Sequence, residues 1–107
     1  MNKLFNSDGS LPYHYYQKTL AELTDQEWSS LPPEIKLANL FADFGTLSDD
    51  SNYYEFIFSS QDVLFVQKLK ETVEELNLVL FSSSTQIVYS VQASEEMNKI
   101  LEYFVWP

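Results

Sequence analysis

The sequence predicts a single α+β domain: two N-terminal helices, then a β-α-β-β-α run, with helices packed on one face of a mixed three- or four-stranded sheet. Three observations lead there. Apolar residues recur at helical spacing in several segments, alternating or continuous apolar runs lie between them, and caps and prolines punctuate the joins. The chain of 107 residues is 45% apolar and 16% aromatic, enough to fill one core over 1–107 and to exclude global disorder.

Residues 1–12 hold Asn6, Ser7, Asp8, Gly9, Ser10 and Pro12, turn formers with no hydrophobic period, and read as a loop or tail. Tyr13, Tyr15 and Tyr16 surround the single histidine, His14; Tyr13 and Tyr15 would share one face of an edge strand within 13–20. Thr24 with Glu27 is a capping box and Leu23 with Trp28 a hydrophobic staple, so a short helix is expected over 25–31. Pro32 and Pro33 end it, and Pro33 suits the first turn of a second helix whose stripe is Leu37, Leu40, Phe41 and Phe44, with Gly45 as a left-handed cap.

Residues 46–52 read as a polar linker. In a strand over 53–58, Tyr54, Phe56 and Phe58 face one side, and Tyr53, Glu55 and Ile57 the other. Ser59, Ser60 and Asp62 then introduce a helix over 61–76 with the stripe Phe65, Val66, Leu69, Val73 and Leu76. The run 78–81 is almost continuously apolar, the pattern of a strand covered on both faces, and predicts parallel pairing with 53–58 through a right-handed crossover. Residues 82–84 turn into 86–91, where Ile87, Tyr89 and Val91 alternate with Gln86, Val88 and Ser90, so a hairpin is expected. Ser94 caps a last helix with Met97, Ile100, Leu101 and Phe104 buried, and Trp106 completes the core.

Charge carries the functional signal. There is no arginine, and six lysines stand against sixteen acids, a formal charge of −10 at pH 7. Nucleic-acid binding draws its affinity from clustered basic groups, so direct binding of RNA or DNA is not expected. A dense acidic surface instead attracts a basic partner through its long-range field. No lysine lies between Leu37 and Gln67, or between Glu71 and Asn98, although each stretch carries several acids.

Catalytic chemistry is not indicated. The chain has no cysteine, no glycine-rich phosphate loop, and one histidine without an orienting partner in sequence. Adjacent acids such as Asp49 with Asp50, Glu74 with Glu75 and Glu95 with Glu96 diverge around a helix or across a strand, which makes them solvated faces. The segment Asp49, Asp50, Ser51, Asn52 lacks the spacing and glycine of a calcium loop. No enzyme, metal or cofactor is therefore expected. The start of the chain has one lysine and no apolar run, and no stretch approaches a membrane span, which fits an unprocessed cytoplasmic protein.

The sequence instead points to an inhibitor or immunity-type protein that occludes the cleft of a basic protein, a nuclease toxin first among them. It would be a monomer or a weak homodimer. Asp43, Asp49, Asp50 and Glu55 are expected to form an acidic rim beside Tyr53 and Tyr54, with Tyr13, Tyr15 and Tyr16 as further anchors. The alternatives are a self-associating regulatory or adaptor domain and a phage DNA-mimic anti-defence protein.

Overall fold

In the computed structural model, which describes residues 4–16, 18–83 and 87–104, four helices cover one face of a four-stranded antiparallel sheet. The helices are α1 (Asp25–Ser30), α2 (Pro33–Phe44), α3 (Val63–Glu75) and α4 (Glu95–Leu101). The strands are β1 (Gly45–Leu47), β2 (Tyr53–Ile57), β3 (Leu80–Ser82) and β4 (Val88–Gln92), in the spatial order β1-β2-β4-β3. Local chemistry sets the helix starts. The Thr24 side chain accepts from the Glu27 N–H while the Glu27 carboxylate accepts from the Thr24 N–H, Pro33 opens α2, and Ser94 accepts from the Met97 N–H. No helix among the described residues is long and apolar enough to cross a membrane.

The α2 helix is the centre of the core, buried without interruption from Ile35 to Phe41 because α3, α4 and β2 all pack against it. Its two buried polar side chains are satisfied. Asn39 Nδ2 donates to the Ile35 carbonyl at 2.9 Å, and Lys36 Nζ reaches Glu75 Oε1 at 3.3 Å. Trp28 anchors α1 beneath two ammonium groups, Lys36 at 5.8 Å and Lys68 at 4.8 Å from the ring centroid. Tyr54, Phe56, Tyr89 and Val91 project from β2 and β4 into the same core, and Met97, Ile100, Leu101 and Phe104 meet them from α4 and the turn after it.

Several expectations are corrected. The parallel pairing of 53–58 with 78–81 does not form: β4 lies between β2 and β3 and pairs antiparallel with each, so the sheet is antiparallel throughout. The α3 crossover passes over a strand's width, and the β3–β4 hairpin folds back into that gap. As a result β3 is an edge strand, and Phe81 is half exposed where cover on both faces was expected.

At the other edge, Gly45 is not a left-handed cap. Its φ of −103° and ψ of 159° are extended, and Gly45–Leu47 begins a strand inside what reads as a linker. Glycine is required by closeness: a Cβ there would lie 2.8 Å from Phe41 Cα and against the edge of its ring. With β1 on that edge, the Tyr-rich segment is not a strand; Tyr13–Tyr15 form a 3-10 turn, and a second such turn spans Leu20–Glu22. The N-terminal loop is tied down, since Leu4 and Leu11 are buried in the core. The expected roles of Ser84 in the turn, of Gln86 in the strand and of Trp106 in the core lie outside the described residues.

Candidate docking face and acidic rim

With all described helices on one side, no described residue forms a covering layer on the second face of the sheet. Cross-strand register places Thr46, Glu55, Ser90 and Phe81 in one row across that face. Tyr53 with Gln92 and Ile57 with Val88 form the rows on either side. Three large apolar side chains are exposed here, Tyr53 at 37%, Phe81 at 50% and Ile57 at 53%. Beside β3, Val79 is exposed as well. Tyr53 and Phe81 meet edge to face with centroids 6.1 Å apart. Ser90 is the smallest residue between them, so the two rings and Glu55 wall a depression of about 220 Å³ above it. None of the eight strand residues facing this side is basic.

The turn joining β1 to β2 carries the next acids. Asp50 organises it: its carboxylate accepts from Ser48 Oγ at 2.6 Å and from the Asn52 N–H at 3.0 Å, while Ser51 takes a positive φ of 62°. Those hydrogen bonds, the Ser48 hydroxyl first, hold its carboxyl below the usual aspartate range. Asp49, exposed beside it, is left to face solvent. Asp43 lies on the last turn of α2, at the opposite end of β1, and partial desolvation pushes its carboxyl up.

The structure thus brings Asp49, Asp50, Tyr53 and Glu55 together on one hairpin and separates the other expected members. Tyr54 is 1% exposed and serves the core. Its hydroxyl lies 2.6 Å from Asn98 Oδ1 and 3.0 Å from the Ser94 carbonyl, tying β2 to the start of α4, and burial pushes its pKa up. Tyr16 packs at the far end of α4, with centroids 5.4 Å from Tyr103 and 6.0 Å from Phe104. Tyr13 leans edge-on against Tyr16, and Tyr15 lies tilted against His14. The N-terminal tyrosines form a separate aromatic group. Sequence reasoning misses Phe81 and Ser90 as site residues because a run of apolar residues at 78–81 reads as buried; the outward phase of Ser90 in 86–91 is the available signal.

Lysine placement sharpens the acidity. Lys18 pairs with Glu27, Lys36 with Glu75, Lys68 covers Trp28, and Lys70 stands 5.9 Å from the Tyr89 ring, so four of the six lysines serve contacts within the fold. On the helical side, Glu34, Glu75 and Glu96 line a cleft of about 380 Å³ where α2, α3 and α4 meet. Among the described residues, no group of three or more histidines and acids is placed to hold a metal ion.

The ion pair has a pH signature. Lys18 and then the Thr24 N–H lower Glu27 from an ordinary 4.5 to about 2. A carboxyl with a depressed folded-state pKa contributes its stability above its unfolded value, and that contribution is lost as pH falls through the folded value. Stability in urea is therefore expected to decline from pH 4.5 toward 2, less steeply in Glu27→Gln. An equal slope in the variant would remove Glu27 as a cause. Asp43 has the opposite sign.

Compared with known proteins, the chain matches no family model, no curated sequence and no solved structure.

Proposed function

We propose that this protein is a small acidic inhibitor of the immunity type, which docks on a basic protein, in the leading case a nuclease toxin, and occludes its substrate-binding cleft. The observation that carries this reading is the uncovered sheet face, where exposed Tyr53, Ile57 and Phe81 surround Glu55 with no basic residue among them and Asp49 and Asp50 at the adjoining turn. Apolar and aromatic anchors encircled by one sign of charge make a surface suited to a partner of the opposite sign. In the complex, the carboxylates take the places of the phosphates that the partner's lysines and arginines would hold. The rings exclude water around those pairs.

Self-association through the same face would set Glu55 of one copy against the acids of the next, which favours a basic partner over a self-associating adaptor. A phage anti-defence protein shares these electrostatics and differs in the identity of the target.

The test is affinity capture on the tagged protein at low salt, elution by a salt gradient, and assay of what is released. The expected result is one basic protein, freed only at high salt, whose nuclease activity is suppressed when an equimolar amount of this protein is returned. Its association rate should fall steeply as ionic strength rises. Capture of a neutral or acidic partner, or an association rate indifferent to salt, would overturn the proposal.

A further inference from the structure

We infer that the depression between Tyr53, Phe81, Glu55 and Ser90 on the open sheet face is a receptor for a single arginine side chain of the partner. This receptor rests on the basic-partner proposal and names its anchor. Five features fit a guanidinium. The cation is flat and delocalised, and it stacks on aromatic faces while its N–H fork meets a carboxylate. Tyr53 and Phe81 meet edge to face at 87° and both border the space above Ser90, so aromatic surface lines it. Glu55 supplies the carboxylate. It forms no side-chain hydrogen bond or ion pair with any described residue, although it is half-buried among the rings.

Ser90 supplies the floor. It pairs with Glu55 on one side and Phe81 on the other, and a larger residue at this register would fill the space that the rings and carboxylate leave open. The dimensions agree with one side-chain head group: about 220 Å³ admits a guanidinium and its last methylenes. Charge completes the case. The strand neighbours facing this side, Thr46 and Gln92, are neutral, and among the described residues no lysine pairs with Glu55.

The test is an NMR titration of the full chain, isotopically labelled, with N-acetyl-argininamide at constant ionic strength. N-acetyl-citrullinamide, its neutral near-isostere, and N-acetyl-lysinamide serve as controls. Saturable shifts confined to the amides around Tyr53, Glu55, Phe81 and Ser90, absent with citrulline and weaker with lysine, are the expected result. Glu55→Gln should weaken the arginine affinity about tenfold, the scale of a charge-assisted hydrogen bond. Phe81→Ala should weaken it about threefold, the scale of an exposed cation–π contact. Glu71→Gln, on the outer side of α3, should leave it unchanged.

Shifts spread evenly over all the acids, an equal response to citrulline or lysine, or undiminished affinity in Glu55→Gln would each overturn the assignment. The citrulline comparison needs no variant, so a substitution that disturbs folding does not remove the test. A captured basic partner that binds Glu55→Gln as tightly as the parent protein would sink the arginine receptor and leave the basic-partner proposal standing. Site-specific saturation by argininamide, with no basic protein captured, would do the reverse.

Discussion

Phe56→Ala is expected to remove about 3–5 kcal/mol of folding stability, far more than any truncation on the open face of the sheet. Phe56 is fully buried at the middle of β2, its ring 6.0 Å from Phe41 and nearly perpendicular to it, between Gly45 on β1 and Tyr89 on β4. Deleting the ring loses its transfer free energy and leaves a cavity between α2 and the sheet. Those layers are held apart by their other side chains and cannot close on it. For a domain of this size, total stability is about 5–15 kcal/mol, so the urea midpoint should fall by about a fifth or more. The contrast is Tyr53→Ala, three residues away on the open face, where the cost should be within about 0.5 kcal/mol. Equal losses in the two variants would mean that the faces of β2 are wrongly assigned.

Gly45→Ala should cost about 1–3 kcal/mol, and Gly45→Val more, through crowding and not through backbone conformation. The extended φ and ψ at Gly45 are open to any residue, but the added Cβ would approach Phe41 Cα to 2.8 Å, and backbone atoms cannot swing aside. Relief requires β1 to move off the end of α2, which breaks its register with β2 and displaces the turn that carries Asp49 and Asp50. The check is a pair of measurements, the denaturation midpoint and the amide exchange of residues 45–47. A loss of stability with exchange protection at β1 unchanged would show that the strand does not depend on the close approach. Partner binding should weaken in parallel, because the hairpin is part of the proposed docking face.

Much of the local structure is legible in the sequence. Thr24 with Glu27, Pro33 and Ser94 mark helix starts because caps act within one turn of chain and need no distant partner. The inward phase of Tyr54, Phe56, Tyr89 and Val91 is readable for a similar reason, since alternation along a strand is a property of the backbone. The candidate site is legible only in part. Glu55 and Tyr53 share a face by that same alternation, and Asp49 and Asp50 precede them by a few residues. Asp43 does not join them, because a strand intervenes at Gly45–Leu47, where the residues carry no strand-like pattern. Tyr54 is no surface anchor, and its phase with Phe56 already puts it inside.

Local signals in the chain establish the α+β class, the starts of α1, α2 and α4, the apolar face of the helices and the excess of sixteen acids over six lysines. Tertiary structure alone decided that β4 enters between β2 and β3, that Gly45–Leu47 takes the far edge in place of the Tyr-rich segment, and that Phe81 emerges beside Tyr53. The division has a physical cause. Periodicity and capping are local, whereas strand order depends on which distant backbone satisfies each row of N–H and C=O groups. The α3 crossover left a strand's width open, and the hairpin that filled it made an edge of a segment whose composition reads as core.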